Sequence, residues 1–183
     1  MKGARMAGTW SVRRAILNDA EMLADLASET FPLACPQGMD AAAVASHIRR
    51  RLSVDAFRIN MADVGLEYSI ALRSPDFAAG YVLLAGRDQE SAADGLRRME
   101  LRQIYVRESH HGTGLAAELL GVVLDRAREL EFDSVWLGTS KLNPRAIAFY
   151  QRHGFRVSGE RVFLVADVPN EDWLMVRSLR HQG

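Results

Sequence analysis

The chain has 183 residues, 48% of them hydrophobic, the size and apolar content of one domain around a single substantial core. Lys plus Arg and Asp plus Glu both number 23, so no net field draws the protein to nucleic acid or to an anionic membrane surface. The one cysteine, Cys35, excludes an internal disulfide framework and a thiolate zinc site, and it points to a reducing cytoplasm.

In chain order, "MKGARMAGTW" is basic but lacks the apolar run of a signal peptide, and no later stretch reaches the about 18 apolar residues of a membrane span. Residues 1–9, like 181–183, read as flexible tails of a single domain covering 1–183. "WSVRRAI" (10–16) alternates as a strand, and "LNDAEMLADLASETF" (17–31) sets Met22, Leu23, Leu26 and Ala27 at helical spacing behind Asp19. "PLACPQGMD" (32–40) carries two prolines and a glycine and reads as a loop, after which Asp40 caps a helix over 40–53. Residues 58–74 divide poorly, with "EYSIAL" as their strand. A turn at "SPDF" leads to a clearer strand, "GYVLLAGR" (80–87), and then to a polar loop over 88–95.

"RRMELRQIYVR" (97–107) has the character of a central strand, with Met99, Leu101, Gln103 and Tyr105 set against Glu100, Arg102, Ile104 and Val106. From 114 to 130, Ala116, Leu120, Val123, Ala127 and Leu130 form one helical stripe, and "SVWLGT" (134–139) follows as a buried strand. A β-α-β unit of this kind places its two strands parallel. "NPRAIAFYQRHGF" (143–155) is a short helix with Asn143 as cap, Pro144 in the first turn and Gly154 past its end. "FRVSGERVFLVADV" and "DWLMVRSL" close the chain as antiparallel strands across a turn at "PNED". The expected fold class is α/β with a mixed sheet.

Chemistry concentrates in "RESHHGTGLAAELL" (107–120). Gly112 and Gly114 let backbone N–H groups approach a ligand where a helix begins, and an anion is the natural guest. A tight strand-to-helix turn alone needs the same glycines, so spacing does not separate the two readings. A P-loop is excluded, because Leu115 and Ala116 stand where Lys and Ser or Thr are required. Gly112, Gly114 and Ala117 formally satisfy a dinucleotide fingerprint, but they lie beyond the strand's end and no acidic residue closes the next strand. Adjacent His110 and His111 project in different directions and have no third ligand nearby, so no metal is expected.

The stretch "QIYVRESHHGTGLA" resembles the acetyl-coenzyme A signature of the GNAT acyltransferase superfamily, Arg/Gln-x-x-Gly-x-Gly/Ala after a strand, with His111, Gly114 and Ala116 at its defining positions. His111 departs from the usual Arg or Gln, which makes any side-chain contact with phosphate depend on imidazole protonation. "NPRAIAFYQRHGF" is similar to the second signature of that superfamily, Asn-x-x-Ala-x-x-Phe-Tyr followed by Gly-Phe. The resemblance implies the GNAT acyl-CoA N-acyltransferase fold, a central mixed sheet flanked by helices with its fourth and fifth strands splayed apart.

It further implies an enzyme that moves acetyl from acetyl-CoA to a primary amine by direct attack in a ternary complex. The backbone of Ile104, Tyr105 and Val106 lines the pantetheine arm, with the Val106 N–H near the thioester oxygen. Residues His111, Gly112, Thr113, Gly114, Leu115 and Ala116 hold the diphosphate. Asn143, Ala146, Phe149 and Tyr150 flank the cofactor, and Arg145, Arg152 or Lys141 meets its ribose phosphate, although a solvated helix face explains those cations equally well. Tyr150 matches the tyrosine that donates a proton to the departing thiolate, and an aromatic packed under the cofactor is the plainer alternative. Glu100 is the candidate general base; a salt-bridged strand glutamate beside Arg97, Arg98 or Arg102 fits as well.

The acceptor leans toward a bacterial branch containing polyamine acetyltransferases, with Asp40, Asp63 and Glu67 as available carboxylates. Phe31 and Tyr68 either line an acceptor channel or fill the core. A protein or peptide amine, an acyl-CoA-binding sensor without turnover, a nicotinamide-dinucleotide oxidoreductase and a homodimer stay open.

Overall fold

The structure, a computed structural model, describes residues 10–35, 39–86, 95–165 and 168–180. The expected tails at 1–9 and 181–183 and nearly all of the expected loop at 88–95 lie outside the described residues. Seven strands form one sheet in the order β1-β2-β3-β4-β5-β7-β6: β1 (Ser11–Arg14), β2 (Leu66–Ser74), β3 (Phe77–Ala85), β4 (Arg98–Val106), β5 (Ser134–Ser140), β6 (Arg156–Val165) and β7 (Val168–Ser178). Neighbours pair antiparallel except β4 and β5, the parallel pair of the expected β-α-β unit.

Helices α1 (Ala20–Ala34), α2 (Ala41–Arg51) and α3 (Val54–Ala62) precede β2, α4 (Leu115–Glu129) joins β4 to β5, and α5 (Pro144–Arg152) joins β5 to β6. The caps follow sequence chemistry. Asp40 accepts from Ala43 N at 3.0 Å to start α2, and Asn143 accepts from Ala146 N at 3.0 Å to start α5. Two elements depart from the sequence expectation. The loop assigned to 32–40 begins later, because α1 runs through Pro32 to Ala34; a proline in the last turn costs one ladder bond there and nothing downstream. α3 begins at Val54, ahead of the poorly divided stretch, and runs into its first residues; Ser53 starts it, its hydroxyl accepting from Ala56 N at 3.3 Å.

The closing hairpin also differs. "PNED" (169–172) lies inside β7, and the pairing of β6 with β7 extends to Val165 and Val168. β7 inserts between β5 and β6, so its residues face both.

Each face of the sheet has its own core. Under α4, fully buried Leu115, Leu119, Leu120 and Val123 pack on Met99, Leu101, Val135, Leu137 and Met175. Burial of side chains this size contributes about 1.5–3 kcal/mol each, so the start of α4 is held firmly against the end of β4. On the opposite face, Leu23 and Leu26 of α1 and Phe57 of α3 cover Tyr68, Ile70, Tyr81 and Leu83.

β4 changes face along its length. A register shift opposite Leu83 and Leu84 leaves Arg102 as an extra residue between Leu101 and Gln103. Met99 and Leu101 point to α4 before this bulge, and Ile104 and Val106 do so after it. The single alternation expected across 97–107 is therefore interrupted at Arg102, and Tyr105 ends on the α1 face.

Gly80 sits beneath the end of this strand, paired with Val106. A Cβ there would stand 2.8 Å from the Tyr105 carbonyl oxygen and 3.0 Å from Leu119 Cδ1. Gly80→Val is expected to destabilise the protein by about 1–3 kcal/mol through overpacking and to displace the Tyr105–Val106 backbone. Denaturant unfolding measures the first effect, and a weaker affinity for coenzyme A measures the second.

Candidate active site

β4 and β5 pair over only three rungs, from Arg98–Ser134 to Glu100–Trp136, although β4 continues to Val106 and β5 to Ser140. The bulge at Arg102 supplies the cause, since an inserted residue bends and twists the strand that carries it. Beyond Glu100 the two strands separate as expected, and β4 offers a free edge to the gap. The Arg107 N–H donates to Ala79 O of β3 at 2.9 Å. Because successive strand amides point to opposite edges, the Val106 N–H is directed into the gap.

The gap opens into a cleft of about 470 Å³. One wall is the end of β4, with Ile104, Tyr105 and Val106. Its floor is the turn into α4, with His111, Gly112, Gly114 and Ala116, and its other wall is α5, with Asn143, Arg145, Ala146, Phe149 and Tyr150. Residues from both sequence signatures thus meet in one place.

The turn leaves its backbone open at the start of α4. Gly112 and Gly114 have φ of 74° and 97°, and Gly114, the N-cap of α4, provides no capping side chain. At the start of the helix the Leu115 N–H has only a long contact with Thr113 Oγ1 at 3.5 Å and the Ala117 N–H bonds Gly114 O at 3.0 Å, and the helix adds the positive end of its dipole. Thr113 and Leu115 do not line the cleft: the Thr113 hydroxyl donates to His110 O at 2.7 Å, and the Leu115 side chain is wholly buried in the core. His111 turns back, its Nε2 donating to Val106 O at 2.9 Å, so its ring closes the strand end rather than facing the turn. His110 is 7% exposed, with Nδ1 2.9 Å from Ser109 Oγ, and burial beside Arg73 and Arg107 pushes its pKa down. The two rings diverge, and among the described residues no three His, Cys, Asp or Glu gather as a metal set.

Tyr150 is buried at the cleft wall against Phe149 and Phe155, and burial together with nearby Tyr105 raises its phenol above the ordinary value. It is protonated at neutral pH and so has an O–H to donate.

Glu100 lies elsewhere. It stands on the last β4–β5 rung, where Arg102 donates to Glu100 Oε2 from Nε at 3.0 Å and from Nη2 at 2.9 Å, and it is absent from the cleft wall. Asp40 caps α2, Asp63 accepts from Gly65 N at 2.8 Å, and buried Glu67 is bound by Arg126 at 2.9 Å, so none of the three candidate acceptor carboxylates reaches the cleft. Phe31 and Tyr68 are core residues, 7% and 3% exposed. Lys141 is held by Glu160 and Glu171 over the Trp173 ring. Arg145 and Arg152 both border the cleft.

Sequence reasoning missed the cleft's far edge, formed by Thr30, Leu33 and Ala34 at the end of α1. Buried Arg107 ties this helix to the end of β4, pairing with Asp25 at 2.6 Å, with Glu29, and donating to Ala78 O at 2.8 Å. No local pattern in α1 announces the contact.

The Acetyltransferase (GNAT) family matches residues 21–155 of this chain. The chain belongs to the GNAT family. An uncharacterized N-acetyltransferase of Mycobacterium tuberculosis is 35% identical over 163 residues, covering 89% of this chain and 99% of the relative. The PaiA N-acetyltransferase of Thermoplasma acidophilum, solved with coenzyme A, has the same fold, with a TM-score of 0.75 at 17% identity over 93% of this chain and 99% of that one. A chimeric spermidine N-acetyltransferase from Vibrio cholerae gives a TM-score of 0.66 at 18% identity, covering 93% and 95%. As a GNAT enzyme the protein is an acetyl-CoA-dependent N-acetyltransferase, passing an acyl group from coenzyme A to an amine. Among the described residues of this GNAT chain no helix is long and apolar enough to cross a membrane.

Proposed function

We propose that the protein acetylates a primary amine by direct transfer within a ternary complex. One observation carries this reading: the gap beside β4 runs from a free strand edge to the uncapped start of α4. A thioester carrier with an amide-bearing arm and a diphosphate matches that sequence of partners, the arm pairing along Ile104–Val106 as an added strand and the diphosphate meeting the amides of 111–116. Asn143 uses Oδ1 as a cap, which leaves its Nδ2 donor for the arm. Arg145 and Arg152, which border the cleft, are the cations we assign to the ribose phosphate.

The Val106 N–H, directed into the gap, is the donor for the oxyanion that forms on the attacked carbonyl. Tyr150 donates to the sulfur as its bond to carbon breaks. The sole cysteine, Cys35, bonds its own helix through Phe31 O and does not line the cleft, which favours direct attack over an acyl-enzyme. The acceptor amine must lose a proton before it attacks; Glu100, the carboxylate that the sequence nominates for this, is held by Arg102 and stands off the cleft wall. A polyamine is the acceptor class to try first. It does not rest on Asp40, Asp63 or Glu67, all engaged elsewhere.

Calorimetric titration with acetyl-CoA, followed by thiol release over a panel of polyamines, amino acids and dipeptides, tests the proposal. Binding with acceptor-dependent release is expected. Binding of a nicotinamide dinucleotide in place of coenzyme A would overturn it, and coenzyme A binding without release across the panel would assign the cleft to a sensor.

A further inference from the structure

Asp172 has no place in either signature, and its sequence context reads as a turn, yet it is 6% exposed in the middle of the sheet. It pairs in register with Ser140 of β5 and with Arg161 of β6. Counting four residues along both strands from their last shared rung, Glu100–Trp136, sets Ser140, and Asp172 beside it, level with the Ile104–Tyr105 stretch, and Asp172, like Glu100, stands outside the residues that line the cleft. Alternation fixes the face. Val135, Leu137 and Met175 point to α4, so Trp136, Gly138, Ser140 and Asp172 point to the other side, which Tyr105 shares.

Arg161 crosses that face. Its Nε lies 3.5 Å from Asp172 Oδ2, its guanidinium covers the Trp136 ring at 5.7 Å, and its Nη1 reaches to 4.0 Å from Glu100 Oε1. The path requires Gly138, where an added Cβ would collide with the guanidinium. Two carboxylates therefore stand on the side of the splay away from α4, one on each strand pair, with Arg161 between them. They differ in setting: Glu100 is gripped by Arg102 through two hydrogen bonds, whereas Asp172 has a looser contact with Arg161 and deeper burial.

We propose that Asp172 is the group that takes the acceptor's proton, with Arg161 orienting it and Glu100, across the splay, receiving the acceptor's ammonium. This deepens and rests on the transferase reading. The acceptor arrives as R–NH3+, and one proton passes to the Asp172 carboxylate, directly or through a water. The freed nitrogen lone pair forms the C–N bond to the acetyl carbonyl carbon. Collapse of the tetrahedral intermediate breaks the C–S bond with its electron pair on sulfur, and a second ammonium proton replaces, by way of Tyr150, the one that the sulfur takes. The balance is R–NH3+ plus acetyl-CoA giving the N-acetyl amine, coenzyme A thiol and one proton, which leaves from Asp172.

Burial lifts the Asp172 pKa and Arg161 partly opposes the lift; among the described residues Arg161 is the charged group acting on it, with Glu100 and Arg102 beyond. A base must be ionised to act, so activity falls as pH drops through this raised value, placing the acidic limb of kcat/KM above the ordinary aspartate value of about 3.9. Asp172→Asn is expected to remove that limb and lower kcat about 100-fold, with coenzyme A affinity unchanged, and Asp172→Glu to restore a limb. Arg161→Gln, which removes the cation favouring the carboxylate, is expected to move the limb to higher pH, and this arm stands even if Asp172→Asn does not fold. Glu100→Gln is expected to raise acceptor KM and keep the limb. A limb retained in Asp172→Asn, unmoved in Arg161→Gln, or lost in Glu100→Gln overturns the assignment while leaving the transferase reading in place. Absence of acceptor-dependent thiol release from the wild-type protein over the same amine panel overturns both.

Discussion

Tyr150→Phe is expected to lower kcat about 100-fold, general acid catalysis being worth about 10²–10⁴, while the dissociation constant for acetyl-CoA stays within about twofold. The substitution removes one oxygen and keeps the ring that packs against Phe149 and Phe155, so the cleft wall retains its shape. Burial raises this phenol above its usual value, so in the proposed role it would stabilise the leaving sulfur by donating a hydrogen bond as negative charge builds rather than by ionising beforehand. Leaving-group analogues separate this from a packing role. An acyl donor whose thiol is more acidic needs less help, so the penalty shrinks with such a donor if the hydroxyl serves the sulfur. An equal penalty in affinity and turnover, or none, removes Tyr150 from the chemistry.

Gly114→Val is expected to weaken coenzyme A binding about 100-fold or more. At φ 97° a β-branched residue is a backbone outlier, and the left-handed region costs an ordinary residue about 1–2 kcal/mol. Relief of that strain swings the first amides of α4 away from the diphosphate, and each hydrogen bond to a charged group lost is worth about 1.5–3 kcal/mol. A Cβ at this position meets nothing within 4 Å, so packing contributes little and the folded core under α4 survives. Calorimetry with coenzyme A and with dephospho-pantetheine separates the effects. The fragment without a diphosphate should bind both proteins alike, and a parallel loss for both ligands would place the diphosphate elsewhere.

The part of the cleft built on the turn into α4 and on α5 was legible because its geometry is written locally. A turn with φ above zero at two positions demands glycine at 112 and 114, and an Asn-Pro start forces α5 to begin at one residue. The contacts made by elements distant in sequence were not. Thr30, Leu33 and Ala34 arrive through helix docking, and Asp172 and Arg161 meet only because β7 lies between β5 and β6. "PNED" has the composition of a turn, and sheet pairing overrode it. The bulge had a trace in the tandem polar pair Arg102–Gln103, which breaks a period-two pattern by one step. α3 escaped notice because its cap, Ser53, was counted as the end of the preceding helix.

The place of β7 has a bearing on how the molecule is made. Until residues 168–178 dock, β5 has an open flank on the side away from β4, a template for pairing with other chains. During synthesis the β4–α4–β5 portion emerges well before that strand, so a nascent chain can shape the anion turn early and still lack the partner that seals its sheet. Ribosome-stalled lengths ending before Val168 should therefore be prone to self-association, and competence would be acquired in a single late step when the last strand slots into the middle of the sheet.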